Sequence, residues 1–333
     1  MSKTTKYDFI SIGDTVTDVF IRLIDATVHC DLRREQCQIC MKFASKVPYE
    51  SRTEVPAVGN SANAAVAAAR LGLKSALVTN LGDDYHGGRC LEALKKNKVG
   101  LDFVKVNKGK KTNYHYVLWY EDERTILIKH EKYKYLLPHI GEPGWLYLSS
   151  IGDGVDGFYN KLANYLDKHP AVKLAFQPGT FQIKMGADKL MKIYQRTEVF
   201  FCNRDEAGRI LHKPGGDIRE LLRGIQKLGP RIVVVTDGKK GAYTYCDGQM
   251  WEMPIYPDPK KPFERTGAGD AFSATFAVAL ALGEPVAEAL RWAPISAMAV
   301  VQKIGAQAGL LSRKRLEQLL KKAPRNYKPK VFL

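Results

Sequence analysis

The 333-residue chain contains no apolar run approaching the ~20 residues needed for a membrane-spanning helix. Its first residues, 1–8, are polar and carry no signal-peptide core. A cytoplasmic protein without a membrane partner is therefore expected. Internal repeats and low-complexity linkers are also missing, which argues against domains strung in tandem. Acidic residues are few relative to basic ones, 35 against 51, leaving a net charge of +16. Such an excess raises nucleic acid as a partner. The charge is dispersed or placed at the ends, however, and the dense runs at 105–111 and 321–330 lack the interleaved aromatics of a single-strand platform. Nucleic acid is not expected to bind.

Cysteine is also sparse. Cys30, Cys37 and Cys40 lie close together, whereas Cys90, Cys202 and Cys246 are scattered. A cytosolic chain should keep all six reduced. His29, Cys30, Cys37 and Cys40 supply enough ligands for a tetrahedral zinc site in principle, but neighbouring His29 and Cys30 make awkward partners. Free thiols in a surface segment are expected there instead of zinc.

What the chain does have is a β-α-β-α rhythm. Strand-like runs at 7–12, 77–81, 145–148, 174–176, 199–202 and 232–236 alternate with helical ones at 64–71, 88–96, 158–168, 189–196 and 218–228. The unbroken apolar run 232–236 is of the kind buried in a parallel sheet. Two stretches break the rhythm, one near 16–56 and one near 105–132. The second has the form of a hairpin around 121–124, with Tyr114, Tyr116, Leu118, Tyr120, Ile126 and Ile128 at alternate positions as one apolar face. The expected fold is α/β: a doubly wound, mostly parallel central sheet flanked by helices, one domain over 1–333, with the two insertions forming a small β lid.

The chain is organised around 265–272, a glycine-rich turn running directly into an Ala-rich apolar helix through Leu282. Gly267 and Gly269 let the backbone approach an anion closely, and the amides of a helix N-terminus with its positive dipole end favour phosphate. Asp270 stands in the first turn. There it can complement the dipole, or it can take a proton from an attacking hydroxyl as charge moves onto phosphate. The sequence leaves both roles open. Asp18, shortly after the first strand, sits where α/β sheets bind ligands, and 237–241 is a second glycine loop at a strand end.

Val58-Gly59-Asn60-Ser61-Ala62-Asn63 with its following helix, Asn203-x-x-Glu206, and the 265–276 stretch stand in one order, and together they resemble the ribokinase-like (PfkB) family of carbohydrate kinases over nearly the whole chain. That resemblance implies transfer of the γ-phosphoryl group of ATP to a hydroxymethyl group of a sugar or sugar-bearing molecule. It makes Asp270 the base and the amides of Gly267, Ala268 and Gly269 the anion hole. Asn203 and Glu206 would place Mg²⁺ through water. Asp18, Gly59, Asn60 and Asn63 would line the acceptor pocket, while Thr236, Gly238 and Gly241 would border the nucleotide. Dimeric members suggest a homodimer clasped through the lid. Three positions depart from the family pattern: Val58 replaces the first glycine of a usual pair, Glu264 an aspartate, and Gly309 a serine. The last two weigh against activation by a monovalent cation. A nucleoside kinase of the same fold is the alternative, with Phe43, Tyr116, Trp119 and Tyr120 available to wall a base, and a non-catalytic regulatory homologue is a third reading.

Overall fold

A strand covered on both faces needs apolar side chains on each, so short unbroken apolar runs mark the centre of a parallel sheet. The computed structural model describes residues 6–31, 37–121 and 123–332. In it Trp145–Leu148 is buried at every position, and Ile232–Thr236 at all but its last. Both strands have the bounds expected from sequence. They lie in a ten-stranded sheet whose order is Lys330–Val331, Gln249–Met253, Ala242–Cys246, Ile232–Thr236, Thr197–Asn203, Lys173–Phe176, Trp145–Leu148, Phe9–Ile12, Ser75–Gly82 and Val104–Asn107. From Ile232–Thr236 to Val104–Asn107 every pairing is parallel, and the opposite edge is antiparallel.

Helices cover both faces. Asn60–Leu71, Ala268–Ala281 and Val286–Val300 pack one core with Phe9 and Leu77, while Asp156–Lys168 and Ile218–Gln226 pack the other with Ile10 and Ile12. Neighbouring strand residues thus feed opposite cores, as a pleat of period two requires. The carboxyl ends of the parallel strands are thereby left to carry the site.

A separate four-stranded sheet has the order Tyr49–Val58, Val16–Leu23, Asn113–Tyr120, Glu123–Leu127. The 105–132 stretch therefore divides, because Val104–Asn107 continues the large sheet beside Ser75–Gly82. Its polar residues belong to an edge that faces solvent on one side. The turn residue Asp122 and the polar residues 1–5 lie outside the described residues.

Two expectations are corrected by strand register. Tyr116 pairs with Leu127 and Val117 with Ile126, so Ile126 shares a side with Val117 and not with the tyrosines. The face carrying Asp18, His115, Val117 and Ile126 turns inward, and Tyr116 on the other face is exposed. The expected reduced cysteines are the second correction. Thr27–Cys30 and Cys37–Cys40 form an antiparallel ribbon that sets Cys30 opposite Cys37, with Cα atoms 4.0 Å apart, and the two form a disulfide. A bonded pair offers no thiolates, so the zinc ligand set His29, Cys30, Cys37 and Cys40 is dismantled; Cys40 is a free thiol.

Candidate active site

Gly267 is the N-cap of the helix Ala268–Ala281 and has φ +81°, a left-handed conformation. A Cβ there would lie 2.3 Å from the Cβ of Ala306, so the turn is pressed flat against a neighbouring segment that only glycine tolerates. The Ala271 amide closes the first turn onto the Gly267 carbonyl at 2.8 Å. First-turn amides of a helix lack intrahelical acceptors, and Gly267 has no side chain to cap them. Asp270 sits in this turn.

Both oxygens of Asp270 are held by amides. Asn63 Nδ2 donates to Oδ2 at 2.8 Å and Gln177 Nε2 donates to Oδ1 at 3.2 Å. Asn63 is itself oriented by Gln307 Nε2, which donates to Asn63 Oδ1 at 3.0 Å and to the Ala57 carbonyl at 2.7 Å. Burial pushes the Asp270 carboxyl above its ordinary value, and nearby Asp18 adds to that; the bonds from Asn63 and Gln177 and the charge of Arg124 pull it back. A carboxylate poised this way can accept a proton.

Asp270 faces a cavity of about 270 Å³ that is also lined by Asp14, Asp18, Gly59, Asn60 and Asn63. Gly59 has φ +110°, and a Cβ on it would meet the Asp14 carbonyl at 2.8 Å, so this turn too requires glycine. The inward face of the small sheet closes one side of the cavity with His115, Ile126 and Ile128. Asp18 Oδ1 lies 3.4 Å from His115 Nδ1. Asp18 Oδ1 and His115 Nε2 are buried and make no hydrogen bond among the described residues. Buried polar atoms without a hydrogen bond are costly, and a polyhydroxyl ligand would supply one to each.

Asp14, by contrast, is engaged at both oxygens. It accepts from Tyr135 Oη at 2.5 Å, from the Gly152 amide at 2.7 Å, and contacts His130 Nδ1 at 2.9 Å. His130 stacks edge-on against Phe181 at 5.3 Å, giving the cavity an aromatic wall. The aromatics expected for that role are elsewhere: Phe43 is 97% exposed, Tyr116 faces outward, and Trp119 is buried against Phe263.

The strands Thr197–Asn203 and Ile232–Thr236 pair Asn203 with Thr236, bringing expected metal and nucleotide residues side by side. Gly238 has φ +51° and Gly241 φ +95°, and a Cβ on Gly241 would lie 2.1 Å from the Met253 carbonyl. Asn203 and Glu206 form a reciprocal capping box at the helix Arg204–Ile210, with Asn203 Oδ1 accepting from the Glu206 amide at 2.8 Å and Glu206 Oε2 from the Asn203 amide at 2.9 Å. Burial raises the Glu206 carboxyl, and Asp270 contributes to that shift. No cluster of three His, Cys, Asp or Glu side chains suited to a metal occurs among the described residues. A single half-buried carboxylate with one oxygen outside the capping box fits a hydrated Mg²⁺ held through water, and does not fit a dehydrated ion in a protein cage.

Sequence reasoning missed Asp14, His115, His130, Phe181, Gln177 and Gln307. Asp14 and Gln177 did carry a signal, since each follows closely on a parallel strand, at the sheet edge where ligands bind.

A family profile described as pfkB family carbohydrate kinase matches residues 20–313. A ribokinase of Bacillus subtilis is 31% identical over 268 residues, 79% of this chain and 87% of the relative. A nucleoside kinase of Methanothermobacter thermautotrophicus is 25% identical over 256 residues, 76% of this chain and 80% of the relative. The structure of Arabidopsis thaliana ribokinase complexed with ribose and ATP superposes with a TM-score of 0.77 at 23% identity, covering 95% of this chain and 99% of the other. No described helix is long and apolar enough to cross a membrane. The glycine turn and its carboxylate therefore stand in a fold and a sequence neighbourhood of sugar and nucleoside kinases, and the chain belongs to the pfkB family of carbohydrate kinases, phosphotransferases with an alcohol acceptor.

Proposed function

We propose that the chain transfers the γ-phosphoryl group of ATP to a hydroxymethyl group of a sugar or sugar-bearing small molecule bound in the 270 Å³ cavity. The observation that carries this reading is Asp270 at the cavity wall, both its oxygens gripped by amides, beside Asp18 Oδ1 and His115 Nε2, buried atoms that make no hydrogen bond among the described residues. Asp18, with Gly59, Asn60 and Asn63 around it, binds the acceptor hydroxyls. Asp270 then receives the proton of the attacking hydroxyl. The backbone of Gly267, Ala268 and Gly269, at the positive end of its helix, balances charge on the transferred group. Thr236, Gly238 and Gly241 border the nucleotide. Mg²⁺, held through water by Glu206 and Asn203, neutralises phosphate charge when bound.

The four-stranded sheet serves as a lid, since its inward face carries Asp18, His115 and Ile126 over the cavity. The Glu264 carboxylate is buried and takes hydrogen bonds from the amides of Thr266 and Gly305. Both its oxygens are thus engaged by the backbone, and activation by a monovalent cation stays doubtful on this reading.

A nucleoside acceptor is the second reading, favoured by the wall of His130, Phe181, Ile126 and Ile128, against which a base would pack. The deciding experiment is a thermal-shift panel of pentoses, hexoses and nucleosides with a non-hydrolysable ATP analogue, followed by turnover with MgATP. Stabilisation by sugars alone supports the first reading, by nucleosides alone the second. No stabilisation and no turnover with any of them overturns both.

A further inference from the structure

We infer that Gln177, locked by Tyr147, is a positioning residue that holds and tunes the Asp270 carboxylate; this rests on the reading of Asp270 as the base. Gln177 does not line the acceptor cavity, so it acts through Asp270 and not on the substrate.

Its backbone extends the large sheet. Gln177 follows the strand Lys173–Phe176, and its amide donates to the Leu148 carbonyl at 2.9 Å. The next residues are Pro178, which fixes φ, and Gly179, the N-cap of the helix Thr180–Met185. The side chain therefore leaves from a fixed point.

Its orientation is fixed as well. Tyr147 Oη donates to Gln177 Oε1 at 2.5 Å, and Gln177 Nε2 donates to Asp270 Oδ1 at 3.2 Å. A primary amide whose oxygen is taken by a phenol must turn its NH₂ toward the carboxylate. Tyr147 is fully buried, and that burial raises its phenol well above the ordinary value, so it stays a neutral donor. Ser273, three positions on from Asp270 in the same helix, acts in the opposite sense and pulls the phenol back down. The chain Tyr147, Gln177, Asp270 thus runs from the buried phenol to the carboxylate.

An amide donating to an ionised oxygen favours the charged form, and one on each oxygen fixes the rotamer. Removing Gln177 leaves Oδ1 desolvated and unpaired next to the charges that also act on Asp270, which are Asp18, Arg124 and Glu206. Ionisation then becomes harder, and the acid limb of the rate profile moves to higher pH.

The test compares wild type with Gln177→Leu, Tyr147→Phe and Asp270→Asn, using MgATP with D-ribose or inosine as acceptor from pH 5 to 9. A carbon-13 NMR titration of the Asp270 carboxyl, which needs no acceptor, runs alongside. For Gln177→Leu we expect kcat to fall about 10- to 100-fold, as loss of a hydrogen bond to a charged group implies, with acceptor KM within about threefold. The acid limb and the NMR midpoint should both rise by up to about one pH unit. Tyr147→Phe, which keeps the ring but frees the amide, should move both in the same direction by less. Unmoved limb and midpoint in both variants would overturn the inference, as would a raised KM at unchanged kcat. Full turnover by Asp270→Asn overturns the base assignment instead, and with it the role given to Gln177.

Discussion

Replacing Asp270 by asparagine tests the proposed chemistry with the least disturbance of shape. Asn63 and Gln177 both present NH₂ groups to the carboxylate, at 2.8 and 3.2 Å. A carboxamide has one oxygen, so one of these donors is left facing another donor. That mismatch costs about 1–3 kcal/mol. It is opposed by relief from burying a charge: the folded carboxyl is raised by desolvation. The sign follows from linkage, since a raised carboxyl favours folding at pH below the unfolded value of ~3.9 and loses that contribution as pH rises through the folded value. At neutral pH the wild type has lost it, and Asp270→Asn has none to lose. The two effects are small against a domain stability of about 5–15 kcal/mol, so the variant should fold. Its turnover should drop by ~10²–10⁴-fold, equivalent to roughly 2.7–5.5 kcal/mol in the barrier. Nucleotide affinity should persist, because Thr236, Gly238 and Gly241 stand on other elements. Coupled turnover with MgATP and calorimetric binding of an ATP analogue measure the two quantities. A kcat above about half that of wild type would refute the base assignment and return Asp270 to complementing the helix dipole.

Glu206→Gln keeps an acceptor for the Asn203 amide and hence the capping box, but removes the charge, so the Mg²⁺ concentration giving half-maximal rate should rise roughly 10–100-fold. An unchanged Mg²⁺ dependence with altered acceptor KM would contradict that role. Asp84 caps the helix Tyr85–Lys96 through the Gly87 amide at 2.9 Å and ties it to the small sheet through Thr112 Oγ1 at 2.6 Å and the Thr112 amide at 3.1 Å. Burial opposes its ionisation, but these bonds prevail and depress its carboxyl, so its contribution is present above the unfolded value and lost as pH falls through the folded one. Asp84→Ala should cost about 2–4 kcal/mol by urea unfolding at pH 7, with the difference from wild type shrinking in acid. If the outward face of the small sheet clasps a second copy, Tyr116→Asp with Leu118→Asp should convert a dimer to monomers in sedimentation at micromolar concentration. A wild-type monomer with full activity would eliminate the clasp.

The parallel core was readable because burial on both faces imposes a simple pattern. Trp145–Leu148 and Ile232–Thr236 are apolar throughout or nearly so, and few other structures ask for that. The antiparallel edge was not readable in the same way. Ala242–Cys246 and Gln249–Met253 mix Tyr243, Thr244, Tyr245, Gln249 and Glu252 among apolar residues, since an edge hairpin is half solvated. Val104–Asn107 was lost to the neighbouring lysines for the same reason. In the small sheet the alternation was legible within each strand but not between strands. Counting every second residue placed Tyr116 and Ile126 together, whereas the register of the hairpin puts Leu127 opposite Tyr116. A slip of one position reverses the face, and only the pairing fixes it.

The site shows where such reading stops. Glycines and the carboxylate at 267–270 announce themselves because turn, helix start and charge are local in sequence. Their partners are not local: Asn63 reaches Asp270 across 207 positions, Gln177 across 93, and Gln307 reaches Asn63 across 244. No periodicity links such residues. What links them is topology, since parallel strands deliver their carboxyl ends to one edge of the sheet. Asp14 lies just beyond Phe9–Ile12, Gln177 directly after Lys173–Phe176, Asn203 at the end of Thr197–Asn203 and Thr236 at the end of Ile232–Thr236. Polar residues at those ends were therefore the ones to weigh most heavily, whatever motif surrounded them. By sequence the Asp270 carboxylate can be a helix cap or a base, and the amides that bear on its proposed role as base are brought to it by the fold and not by the motif.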